Sequence, residues 1–144
     1  MSRIGLILIT LLCLTSLPLP ALAEDFNGSK PLLGSVIKIM EIYSNYNINE
    51  VDPETVGVPR FFIIDFKAKR LHPTKESRIN RSSIIKRIEH VENMLILQGV
   101  EEGVEGVDDG LGWSMTISKE TGKMVLAASG DRKAYVVFGA CTVR

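Results

Sequence analysis

The sequence predicts an all-β domain, an antiparallel meander of about seven or eight strands with one short helical turn, closed as a small barrel or a two-layer sandwich. Three observations carry this. The stretch from Gly112 to Val143 reads as three consecutive strands joined by two tight turns. Residues 35–44 and 60–67 are rich in β-branched and aromatic side chains and are bounded by turn formers. Phe61 to Phe66 is apolar on both faces, which suits a central strand rather than an edge.

Residues 1–23 read as a cleavable export signal. Arg3 supplies the positive start, Ile4 to Leu17 the apolar run, and Ala21-Leu22-Ala23 the small-x-small site before Glu24. The run is short for a membrane-spanning helix, so no stable membrane insertion is expected after cleavage. A lipid anchor at Cys13 is disfavoured by Leu12, which stands where a small residue should precede the modified cysteine. The expected location is periplasmic or secreted.

Cleavage leaves about 120 residues, an ordinary size for one domain with its own core. Of the 17 basic and 17 acidic residues only Arg3 lies in the signal, so the mature chain is one charge negative. That balance argues against attraction to nucleic acid or anionic membranes. Cys141 is then the only remaining thiol, so no internal disulfide is available and the fold must rest on its apolar core.

Residues 24–34 form a polar lead-in, and residues 35–144 the single β domain. The first strand, residues 35–44, has two apolar sets, Val36/Met40/Ile42 and Ile37/Ile39/Tyr43, either of which fits the interior. Residues 45–49 read as a loop. Asp52-Pro53 and Gly57 supply an N-cap, a first-turn proline and a glycine stop, enough for one helical turn. The second strand, residues 60–67, places Phe61, Ile63 and Asp65 on one face and Phe62, Ile64 and Phe66 on the other. Leu71-His72 begins a short strand that Pro73 ends.

Residues 78–99 support two readings. Ile84, Ile88, Val91 and Leu95 recur at helical spacing, whereas the β-branched content and the Glu92-Asn93 break favour a hairpin of residues 82–90 and 94–100. The hairpin is preferred. Residues 101–110 are acidic, glycine-rich and unpatterned, hence a loop. Trp113, Met115 and Ile117 then alternate with Ser114, Thr116 and Ser118 in a half-buried strand. Gly122 is expected in a left-handed turn, with Met124, Leu126 and Ala128 lining the inner face of the strand that follows.

No motif for chemistry stands out. The acidic loop lacks calcium-loop spacing, and neither His72 nor His90 has a partner at zinc-ligand spacing, so no metal and no cofactor is expected. Ser114 lacks the second glycine of a nucleophile elbow. Asp65 and Asp131 are ordinary strand-end and turn carboxylates. The last strand sets Val136, Phe138 and Ala140 on one face and Tyr135, Val137 and Cys141 on the other, both apolar. In a single-layer barrel only one face is core, so the other would form a patch covered by the lead-in, a ligand, another protein or a second copy of the chain. The candidate binding patch is Tyr135, Val137 and Cys141 with Phe61 and Ile63.

Gly112-Trp-Ser-Met-Thr-Ile117, Thr121-Gly-Lys-Met124 and Tyr135-Val-Val-Phe-Gly-Ala-Cys-Thr142, with Pro59-Arg-Phe-Phe-Ile-Ile-Asp65 and Leu95-Ile-Leu-Gln-Gly99, resemble a group of small exported proteobacterial proteins without assigned function. The resemblance implies an envelope location and an antiparallel β domain, supports the hairpin, and carries over no activity. The expected function is a non-catalytic periplasmic module for a small apolar ligand or an envelope protein. The alternatives are a small hydrolase using Cys141 or a carboxylate with a histidine, and an inhibitor of an envelope enzyme acting through residues 101–110.

Overall fold

The computed structural model describes residues 26–103 and 110–144; the expected export signal lies outside them. Nine strands form one antiparallel sheet: β1 (Leu32–Tyr43), β2 (Ile48–Val51), β3 (Phe61–Asp65), β4 (Arg70–Pro73), β5 (Ser83–Val91), β6 (Met94–Glu101), β7 (Leu111–Ser118), β8 (Lys123–Ser129) and β9 (Lys133–Val143). Each strand from β3 to β9 pairs with the next, and β9 returns to pair with β1. The eight strands β1 and β3–β9 therefore close as a barrel, and β2 hangs on the outer half of β1. Closure decides between barrel and sandwich.

Local chemistry explains most of the elements. Asp52 caps a single 3-10 turn, Pro53–Val56, by accepting from the Glu54 amide at 2.9 Å, and Gly57 ends it at φ 72°. Gly122 sits at φ 66° in the β7–β8 turn, as its sequence context predicts. Residues 83–101 form the β5–β6 hairpin, turned by Glu92 and Asn93 with Glu92 at φ 48°. The helical spacing there is coincidental, because the interior is lined by Ile85, Ile88, Leu95 and Leu97 of paired strands. Residues 45–49 do not stay a loop throughout, since Ile48 and Asn49 pair with Ile42 and Glu41.

Two β-bulges set the curvature. One lies in β1 at Ile37, between Val36 and Lys38, and the other in β5 at Lys86, between Ile85 and Arg87. Each faces a glycine on the neighbouring strand: Gly139 pairs with Val36, and Gly99 pairs with Ile85. A bulge bends its strand sharply, and an inward glycine lets the partner backbone follow. A Cβ on Gly99 would lie 2.1 Å from the Ile84 carbonyl oxygen, and one on Gly139 would lie 2.2 Å from that of Ser35. The Trp113 ring covers Gly99 from inside.

The β1 bulge also resolves the two apolar sets of the first strand. Val36 belongs to one set and Ile39 to the other, yet both are buried, because the extra residue shifts the alternation by one. Ile37 is left 72% exposed.

The barrel has a filled end and an open end. Leu32, Ile64, Leu95, Ile117, Met124 and Cys141 fill the lower half, and Phe26 of the lead-in is buried against Gly122 beneath them. The first strand begins at Leu32, three residues ahead of the expected start, because Leu32 and Leu33 pair with both β3 and β9. No helix among the described residues is long and apolar enough to cross a membrane.

Candidate functional site: the open half of the barrel

The upper half of the interior is a cavity of about 820 Å³. Its floor is apolar, formed by Val36, Phe62, Trp113, Leu126, Ala128 and Val137. Its rim gathers the strand ends and the loops at 55–59 and 130–132. Binding cavities for small molecules run from about 300 to 1,000 Å³, so one small ligand fits. Eight-stranded barrels stand at the width where side chains fill the interior or a single ligand does, and this one divides its length between the two.

Trp113 Nε1 is the buried side-chain nitrogen or oxygen that finds no hydrogen-bond partner among the described residues. Buried polar groups are nearly always paired, so the indole is unusual as well as central.

Two polar clusters stand on opposite sides of the rim. On the β1–β9 wall Glu41, only 5% exposed, accepts from Lys133 Nζ and from Tyr135 Oη, both at 3.0 Å on Oε1. Glu41 and Tyr135 are direct cross-strand partners, as are Tyr43 and Lys133. The Lys133 ammonium lies 5.6 Å from the ring centres of both Tyr43 and Tyr135, within range for cation–π attraction. Burial pushes the Glu41 carboxyl up, but hydrogen bonds from Lys133, Tyr43 and Tyr135 and the charge of Lys133 outweigh it and hold the pKa below its ordinary value. Lys133 is raised in turn, by its hydrogen bonds to Tyr135 and Glu41. On the β4–β6 wall Glu101 pairs with Arg81 at 2.5 Å and accepts from Ser83 Oγ at 3.1 Å.

The residues expected to form one patch are divided by the structure. Tyr135, Val137 and Cys141 face the interior, not the outside as expected for a covered patch. Tyr135 and Val137 line the cavity, and Cys141 lies below it in the core. Phe138 faces outward beside Val125, both exposed. The reversal has a physical cause: Gly139 must face inward opposite the β1 bulge, and alternation then turns Tyr135, Val137 and Cys141 inward with it. Phe61 is exposed on the outer surface, and Ile63 is buried outside the main core cluster.

The arrangement a thiol hydrolase needs is not brought together. Cys141 is 3% exposed, its thiol contacts Met124 Sδ at 3.9 Å, and burial pushes its pKa up to about 12. A nucleophilic thiol requires the reverse, a depressed pKa and an adjacent base. Native Cys141 should therefore react with Ellman's reagent at least about a thousandfold more slowly than in urea-unfolded protein; comparable rates would contradict the burial.

His72 lines the cavity with Nδ1 3.2 Å from the Pro73 carbonyl oxygen, and His90 is exposed near the β5–β6 turn. Asp65 accepts from the Ala68 amide at 2.8 Å, a turn role, and Asp131 is an exposed partner of Arg132. Among the described residues no group of histidine, cysteine and carboxylates could hold a metal ion. Of the acidic loop, residues 104–109 lie outside the described residues.

Glu41, Lys133 and Arg81 were not anticipated as site residues, and Glu101 was considered only as part of the acidic loop. One signal was available: Glu41 and Lys133 continue the inward alternation of Ile39 and of Tyr135–Val137, so each is a charge placed in core phase at the end of a strand. Comparison with protein-family models, curated proteins and solved structures finds no match, so the functional reading rests on the site itself.

Proposed function

We propose that the protein is a non-catalytic binding module, exported to the periplasm, that holds one small and largely apolar ligand in the open half of its barrel. One observation carries this reading: the lower half of the barrel is filled by side chains, while the upper half is a cavity of about 820 Å³ with an apolar floor and a hydrogen-bonding rim. Apolar walls with a few convergent polar groups are what small-molecule sites share. Burying ligand surface against such walls yields roughly 25 cal/mol per Å² before the costs of association.

Trp113 is the single tryptophan and lies in the floor, so it reports directly on occupancy. Titration with the neutral dye N-phenyl-1-naphthylamine should quench Trp113 emission saturably, at one dye per chain. Ala128 stands between Trp113 and Tyr135 in register on the inner face. Ala128→Phe should fill the space beside the indole and weaken dye binding by at least about tenfold, or 1.4 kcal/mol, with the circular dichroism of the barrel retained. Unchanged Trp113 emission, or equal affinity in a folded Ala128→Phe protein, would count against an interior site.

A further inference from the structure

The charge of the ligand is decided at the rim. Among the described residues three carboxylates line the cavity, and each has a cation beside it: Glu41 with Lys133, Glu101 with Arg81, and Asp131 with Arg132. Val36, Phe62, Trp113, Leu126, Ala128 and Val137, the described residues of the floor below them, are all uncharged. We infer that the cavity is selective for an uncharged amphiphile, an apolar chain or ring ending in a hydroxyl group, and that the Glu41–Lys133 pair sets this preference. The inference rests on the binding role proposed above and deepens it.

The physical case comes from what each kind of head group would have to disturb. A carboxylate head seeking Lys133 would share that ammonium with Glu41, which holds it at 3.0 Å. Two anions would then face one cation, or Glu41 would be left buried without its partner, and breaking a buried pair is strongly unfavourable. A cationic head meets the converse problem. The rings of Tyr43 and Tyr135 already face the Lys133 ammonium, so a second cation there would be repelled by the first. A hydroxyl disturbs neither pair. It donates to a free lone pair on the oxygen of Tyr135 or of Ser83, whose own protons go to Glu41 and Glu101, while its chain lies along Leu126, Val137 and Trp113. Paired charges of this kind select by exclusion, since they add little affinity for the right ligand and penalise the wrong ones.

The test uses the full chain and three ligands of equal chain length: 1-decanol, decanoate and decyltrimethylammonium, each titrated by displacement of N-phenyl-1-naphthylamine near neutral pH. In the native protein 1-decanol should bind at least about tenfold more tightly than either ion. Decanol also leaves water more readily, so two opposite substitutions carry the assignment. Glu41→Gln frees Lys133 and should raise the affinity for decanoate relative to that for 1-decanol by at least about tenfold. Lys133→Met frees Glu41 and should raise the relative affinity for decyltrimethylammonium by a similar factor. Either variant suffices if the other does not fold. Native affinities that are equal across the three ligands, or folded variants whose ion affinities relative to 1-decanol do not move, overturn the inference while leaving an interior site in place. If neither the dye nor any of the three ligands binds, the binding role itself falls, and the inference with it.

Discussion

Gly99→Ala is expected to destabilise the barrel by about 3 kcal/mol, the upper end of the usual range for overpacking. The added methyl would lie 2.1 Å from the Ile84 carbonyl oxygen and 2.3 Å from Cζ2 of Trp113. The indole can tilt. The carbonyl cannot easily follow, because it belongs to the backbone of β5 beside the bulge at Lys86, and that bulge helps turn the sheet toward closure. The same substitution at Gly112 is the internal control, since nothing lies within 4 Å of the position its Cβ would take. Gly112→Ala should stay within about 0.5 kcal/mol of the native protein. Urea unfolding followed by circular dichroism compares the two variants, and equal midpoints would refute the close-approach account. Tryptophan emission adds a second readout, because a displaced Trp113 should become more exposed in Gly99→Ala even where the barrel persists.

Lys133→Met should be the next most damaging change, at about 2 kcal/mol. Removing one partner of a buried ion pair costs roughly 3–5 kcal/mol. Lys133 is 44% exposed, and water moderates the loss accordingly. What remains is a carboxylate that is almost fully buried and keeps the Tyr135 hydroxyl as donor without a compensating charge. Replacing both partners, Glu41→Gln with Lys133→Met, should recover most of the stability, because no lone buried charge is left.

The pair also shapes the pH dependence of stability. Glu41 has a lowered pKa in the folded state, so its contribution is complete above the ordinary value of 4.5 and is lost as pH falls through the folded value. Lys133 has a raised pKa, so its contribution is complete below the ordinary value of 10.5 and is lost as pH rises through the folded value. Between those two values the pair contributes a plateau. In Lys133→Met the acid side weakens: losing the cation raises the Glu41 carboxyl from its native folded value, so protonation costs the variant less than the native protein. The deficit of the variant should therefore shrink as pH is lowered past the plateau. Urea midpoints measured across that range check the sign, and a deficit that stays constant would show that Glu41 is not the group involved.

The division between what was legible in the residues and what was not follows the range of the forces concerned. The left-handed turn at Gly122, the capped turn from Asp52 to Gly57 and the alternation of Trp113, Met115 and Ile117 depend on neighbours a few residues apart, and each was readable. The hairpin of β5 and β6 was readable in outline, since β-branched content and a polar break outweigh an accidental helical spacing. At the site, Tyr135 and Val137 were picked out by their apolar character, but on the wrong side of the sheet. Glu41 and Lys133 were passed over, because a charged residue in a strand is ordinarily a solvated one.

What the sequence alone determined is therefore the all-β class, most of the strands and the turns between them, because alternation and turn chemistry are local. The tertiary structure decided the closure of β9 onto β1, the face each ambiguous strand presents, and the cavity with its paired rim. A single inserted residue at Ile37 shifts the alternation of its strand, and inward glycines opposite the two bulges orient their strands. These consequences reach across strands more than a hundred residues apart in sequence, as from Val36 to Gly139 in register. No local pattern of residues could state them.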